Sequence, residues 1–208
     1  VLFRSPGGSY LGSFHPVVTM SQNLLPFEWS EVMRNGISRF SFKMLLLRWI
    51  QSWSFQRSEG VIFLTQYAQA AVLKVTGPLK ATCTVIAHGL NPRFAYQAKP
   101  QLAIAQYDAN HPYRLLYVSI IDTHKHQDQV ILAVEQLRRK GYPLSLTLVG
   151  PQEAQAFEQM QGVINTLTAP ANWLHYLGVI PYQTLEQEYQ RADLGIFASS
   201  CETFGMIV

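Results

Sequence analysis

The chain has 208 residues, 48% of them hydrophobic and 14% charged, with a net charge of +3. That is ample material for a core but too little charge for a disordered or nucleic-acid-binding chain. The mild positive balance suits anionic partners, such as a nucleotide or acidic lipid headgroups, and no apolar run approaches the length that spans a bilayer.

In chain order, Val1-Leu2-Phe3-Arg4 reads as a strand running into a turn at Gly7-Gly8, which is either a plain turn or a phosphate or acceptor loop. No initiator methionine precedes it, so truncation is expected at this end. Residues 16–20 form a buried strand that ends in the polar turn Ser21-Gln22-Asn23. A helix is predicted over 40–57, with Phe42, Leu45, Leu46, Trp49, Ile50 and Trp53 at a spacing of three and four. The same stretch carries Arg39, Lys43, Arg48 and Arg57, a composition shared with helices that lie on membranes. The more ordinary expectation is that its aromatics pack on a sheet while its arginines face anionic lipid. Strands follow at 61–65 and 82–87, the latter ending at His88-Gly89, with a helix over 66–75 between them closed by Gly77-Pro78.

From 91 to 112 the periodicity lapses into prolines and polar residues, which reads as a linker. The strand–helix alternation then restarts. Strands are predicted at 113–119, 144–150, 173–178 and 192–198, with helices over 129–140, 153–160 and 185–191. Such alternation is the signature of mainly parallel sheets. Cys83 and Cys201 lie far apart, form no metal spacing and suggest no disulfide framework, so a reducing compartment fits.

The residues that can carry chemistry sit at strand ends. After the last strand come Glu202-Thr203-Phe204-Gly205-Met206, a carboxylate beside an aromatic and a glycine at the carboxyl end of a strand, where open α/β sheets bind ligands. Glycine there lets a backbone N–H approach a phosphate or sugar. The alternative for Glu202 is an acid in the first turn of a helix. Lys125, in the loop His124-Lys125-His126, is the best-placed cation, or else a solvated loop lysine. The two histidines share a face but have no third ligand nearby, so no metal is expected. Asn23 is an acceptor-side hydrogen-bonding candidate or a turn residue, and His88-Gly89 is a cleft-lining pair or a plain turn.

Taken in order, Leu116-Tyr117-Val118-Ser119, Lys125, Val149-Gly150, Gly178-Val179-Ile180-Pro181 and the Glu202 segment resemble the donor half of family 4 GT-B glycosyltransferases. Upstream, residues 61–65 and His88-Gly89 are similar to elements of the acceptor half. The resemblance implies an α/β, GT-B-like fold with two Rossmann-like domains of mainly parallel sheet, both incomplete. The expected limits are 1–98 for the later part of the acceptor-side domain, 99–112 for the linker and 113–208 for the first part of the donor domain.

It implies a retaining transferase that moves a sugar from a nucleotide-sugar donor to a glycan or lipid-linked saccharide, in the cytoplasm or at the inner face of the plasma membrane, without metal or other cofactor. Glu202 and Lys125 take the catalytic roles, and donor contacts come from Ser119, Gly150, Val179, Ile180, Thr203, Phe204, Gly205 and Met206. Acceptor contacts come from Asn23, His88 and Gly89. An arginine usual in the family is replaced near Ser119-Ile120, and His124 or His126 is the nearest substitute. A second family glutamate is expected at position 210, beyond Val208, so the chain is expected to be an inactive fragment. A nucleotide-sugar 2-epimerase-like enzyme and a non-catalytic nucleotide-binding protein are the alternatives.

Overall fold

A computed structural model describes residues 2–4, 12–34, 36–89, 91–94 and 99–205; Gly7, Gly8 and Met206 lie outside them. The chain divides into two compact units, one from Val1–Gly89 joined by the segment that begins at Cys201, the other Leu90–Ser200.

The first unit holds four parallel strands, β1 (Leu2–Arg4), β2 (Val17–Ser21), β3 (Gly60–Phe63) and β4 (Thr82–Val85), paired in that order. Two helices, α1 (Trp29–Val32) and α2 (Arg39–Arg57), connect β2 to β3, and α3 (Gln66–Thr76) connects β3 to β4. Strand becomes helix at Thr65, whose hydroxyl accepts from the Ala68 amide and satisfies one of the free N–H groups of α3. Gly77 ends that helix at φ +70°, a conformation that favours glycine. Phe55 stacks on Phe27 at a centroid distance of 6.0 Å and meets Phe63 edge-on at 6.4 Å, among Leu24, Val61 and Val72.

Helix α2 forms where the spacing predicts it but faces the other way. Phe42 is 73% exposed and Trp49 65%, and Leu45 and Leu46 are exposed beside them. The buried positions are Ser41, Met44, Gln51, Ser54 and Phe55. The physical reason lies near the carboxyl end, where Phe55 is fully buried against Phe27 and Phe63. Once Phe55 points inward, the 3.6-residue repeat brings 41, 44, 48 and 51 with it and turns 42, 46, 49 and 53 outward. The arginines divide as well. Arg39 and Arg57 are exposed, whereas Arg48 is partly buried, donates through Nε to Pro26 O at 2.5 Å and lies over the Trp29 ring.

The second unit is a parallel sheet of order β7-β6-β5-β8, from β5 (Tyr113–Val118), β6 (Leu144–Val149), β7 (Leu174–Tyr176) and β8 (Leu194–Gly195). Its helices are α4 (Gln127–Arg139), α5 (Ala154–Ile164) and α6 (Tyr182–Arg191). Leu115, Tyr117, Leu146 and Leu148 alternate onto the face that meets Val130, Ile131, Val134, Met160 and Trp173. Only two residues of the strand predicted over 192–198 enter a ladder. Asp193 clamps its start, accepting through its carboxylate from the Arg114 amide while its own amide donates to Arg114 O, both at 2.8 Å. After Ile196 the backbone leaves the ladder, and the Ala198 amide donates to the Tyr117 hydroxyl instead.

The irregular segment after residue 90 is built onto this unit. The Phe94 ring meets Tyr182 and Tyr189 of α6 at 5.4 and 5.5 Å, and Lys99 Nζ pairs with Asp193 Oδ1 at 2.7 Å. Among the described residues no helix is long and apolar enough to cross a membrane.

Candidate functional site

The strand order of the second unit singles out one end of its sheet without reference to any motif. From β5 the chain steps one way to β6 and β7, then returns to the opposite side of β5 as β8. Where the direction of winding reverses, α/β sheets bind ligands at the carboxyl ends of the strands. The reversal lies between β5 and β8, so residues 119–126 and 196–200 form the end of the sheet where a ligand is expected.

Lys125 comes from the first of these loops. It closes the 3₁₀ turn Thr123–Lys125 just before α4 and is only 8% exposed. Its Nζ lies 4.9 Å from the centroid of the Phe197 ring, which belongs to the second loop, an arrangement that favours a cation. The Tyr117 hydroxyl joins the two loops, donating to Lys125 O while accepting from the Ala198 amide. Beside it, His124 Nδ1 lies 3.1 Å from Asp122 Oδ1, and this hydrogen bond holds the Asp122 carboxyl below the usual carboxylate range. His124 O accepts from the Ser200 amide at 3.0 Å. His126 adopts φ +55° at the start of α4.

Gly150 has a different kind of requirement. At φ +140°, an added Cβ would lie 2.1 Å from Ser119 O. Its amide donates to Gly178 O and its carbonyl accepts from the Tyr176 hydroxyl, both at 2.9 Å. Gly150 therefore lets the ends of β5, β6 and β7 close together, and both of its backbone groups have protein partners. Ser119 Oγ donates to Ile120 O at 3.0 Å. Val179 is 75% exposed and Ile180 half-buried in the loop between β7 and α6.

The remaining candidates gather in the first unit, at the carboxyl ends of β2, β3 and β4. Thr203 is held on both sides, its hydroxyl donating to Gln22 O at 3.1 Å and its carbonyl accepting from Thr65 Oγ1 at 3.0 Å. The Phe204 ring meets His88 edge-on at 5.5 Å. Gly205 adopts φ +77°, and Glu202 is half-buried between Cys201, which is in the core, and Thr203. Asn23 Oδ1 accepts from the Leu25 amide at 3.2 Å, which makes it a turn residue as described. Gly89 is exposed, and an added Cβ there meets nothing within 4 Å.

Three participants escape a reading of the sequence. Tyr117 looks like any core residue of a strand, Phe197 like any aromatic near a strand end, and Thr65 like the polar end of a short strand. Alternation places Tyr117 inward, but nothing in the pattern indicates that its hydroxyl joins two loops. A hollow of about 370 Å³ lies on the other face of the second sheet, lined in part by Arg114, Thr147, His175, Glu188 and Arg191. It lies away from the carboxyl ends of the strands and from Lys125. Among the described residues no three His, Cys, Asp or Glu side chains group in a way that could hold a metal ion.

The two parallel-sheet units have the GT-B fold, which comparison with solved structures bears out. Sucrose-phosphate synthase from Thermosynechococcus elongatus is similar at a TM-score of 0.70 and 18% identity, over 92% of this chain and 46% of that one. The Anabaena protein HepE in complex with UDP is similar at a TM-score of 0.63 and 18% identity, over 93% and 50%. At such identities the likeness is one of fold.

The family model for glycosyl transferases group 1 matches residues 103–208, and the chain belongs to that family. A glycogen synthase from Mycobacterium tuberculosis is 24% identical over 160 residues, 76% of this chain and 36% of the relative. The chain thus spans about a third of the length of its curated relatives and about half that of the solved chains.

Proposed function

We propose that the protein transfers a sugar from a nucleoside-diphosphate sugar to an acceptor hydroxyl with retention at the anomeric carbon, as a member of glycosyltransferase family 4. The observation that carries this is the position of Lys125, a nearly buried cation at the reversal point of the second sheet. Negative charge builds on the departing diphosphate as the glycosidic bond breaks, and a cation fixed in a water-poor site stabilises that charge strongly. Glu202, next to Thr203, takes a role toward the donor sugar. Its carboxylate accepts hydrogen bonds from hydroxyls of the donor sugar, and the amides of Phe204 and Gly205 face the sugar or diphosphate. Ser119, Val179 and Ile180 line the nucleotide, while Gly150 acts by allowing the strand ends to close. His88 and Gly89 are the acceptor-side residues, with Asn23 the weakest of the three because its carboxamide oxygen is engaged locally.

The protein would need no metal, since the leaving group is met by Lys125. HepE has been solved with UDP and with UDP-glucose, which supports testing uridine donors first. The acceptor, on this reading, is a glycan or a lipid-linked saccharide, met in the cytoplasm or at the inner face of the plasma membrane. Because the chain spans only part of its relatives, the activity is proposed for the whole protein, with residues 1–208 inactive alone.

The test is to incubate the full-length protein with a panel of nucleotide sugars, with and without saccharide acceptors, and to follow diphosphate release and the anomeric configuration of the product. Acceptor-dependent release with retention supports the reading. Inversion, or conversion of the donor to its 2-epimer without an acceptor, contradicts it.

A further inference from the structure

Helix α2 divides its apolar side chains between two faces, Met44 and Phe55 buried inward and a larger set turned outward, which does not suit a helix whose only task is to cover a sheet. Its inward face includes Ser41, Gln51 and Ser54, all buried. Among the described residues, the Gln51 Oε1, Thr19 Oγ1 and Ser21 Oγ atoms are buried without a hydrogen-bond partner. Its outward face carries Phe42, Leu45, Leu46 and Trp49, all exposed, with Trp53 in the same row. Leaving two large aromatics and two leucines in water forfeits stabilisation of roughly 1.5–3 kcal/mol for each full side chain. A contiguous exposed apolar row of this kind marks a contact surface.

The charge on the helix indicates what it contacts. Its 19 residues include Arg39, Lys43, Arg48 and Arg57 and no carboxylate. Arg39, Lys43 and Arg57 are exposed and flank the apolar row on one side, and the Arg57 guanidinium lies 4.6 Å from the Trp53 ring. Aromatic and aliphatic side chains rimmed by basic ones, along a helix about 28 Å long, fit the boundary between acyl chains and anionic headgroups.

We infer that the outward face of α2 docks the protein on an anionic lipid bilayer, with Phe42, Leu46 and Trp49 entering the interface and Arg39, Lys43 and Arg57 meeting lipid phosphates. The inference does not depend on what the donor site binds, so the two readings fail separately.

The test is flotation of the full-length protein with vesicles of phosphatidylcholine alone or mixed with phosphatidylglycerol. Wild type is compared with a Phe42→Ser/Trp49→Ser variant and an Arg39→Glu/Lys43→Glu variant, and all three are checked for unchanged nucleotide binding and thermal midpoint. Wild type is expected to float with the anionic vesicles and to be released by high salt. The apolar variant should lose at least about tenfold in partitioning, and the charge variant at least about fivefold for each residue changed. Wild type that floats with neither vesicle overturns the inference even if a variant fails to fold, and so do variants that bind like wild type. A wild-type dimer that the apolar variant converts to a monomer, without vesicle binding, assigns the face to a second copy and also overturns it.

Discussion

At Gly150 the backbone permits one residue type. Its φ of +140° and the 2.1 Å approach of any Cβ to Ser119 O leave no room for alanine without moving β5 against β6. Gly150→Ala is expected to lose more than about 3 kcal/mol of stability, combining backbone strain with the clash. Gly89→Ala, which meets open space, should stay within about 0.5 kcal/mol of wild type. Comparing the two by thermal denaturation separates a glycine held by geometry from one that is not.

Asp122 yields a prediction with a direction in pH. Its hydrogen bond with His124 lowers its pKa on folding, so its contribution to stability is complete above about pH 4, where the unfolded chain's carboxylates are ionised. It disappears as pH falls through the lower folded value. The stability gap between wild type and Asp122→Asn should therefore close as pH falls into the acid range. A gap that widens in acid would contradict the pairing.

Among the elements, α2 shows what a hydrophobic pattern can and cannot decide. Spacing of three and four located the helix to within one residue at its start, because any helix carries that repeat. Which side faces inward depends on a distant partner. Phe27 and Phe63 capture Phe55, and no local count of apolar residues reveals that. Phe55→Ala should cost about 3–5 kcal/mol by opening a cavity, whereas Trp49→Ala should change stability by less than about 0.5 kcal/mol. Chemical denaturation of both variants checks the assignment, and the opposite ranking would restore the packing expected from sequence.

The strands of the second unit were readable for a complementary reason. Residues 113–119 and 144–150 are short apolar runs bounded by polar and glycine breaks, the ordinary form of a buried parallel strand. The strand predicted over 192–198 was overextended, because its departure from the ladder depends on the Tyr117 hydroxyl rather than on residues within the run.

For the molecule as a whole, strand–helix alternation predicts two parallel-sheet units, and the ordered motifs point to the glycosyl transferases group 1 family, to which the chain belongs. Residues joined by long-range hydrogen bonds were less readable. The segment after Cys201 is tied to the first unit by Thr203, which bonds to Thr65 and Gln22 across 138 and 181 positions of sequence. Likewise, residues 91–112 read as a linker from their prolines, yet the Phe94 ring and the Lys99–Asp193 pair build that stretch onto the second unit. Lys125 was identifiable as a cation in a loop after a strand. Its near burial beside Phe197 required the fold that brings the two loops together.

Whether Lys125 stands in a nucleoside-diphosphate site is decided by calorimetric titration of the full-length protein with UDP, GDP and ADP. Micromolar binding of one diphosphate is expected, weakened at least about tenfold by Lys125→Ala through loss of a charge-assisted contact to phosphate. Binding of none of the three, or equal binding by the variant, would contradict it.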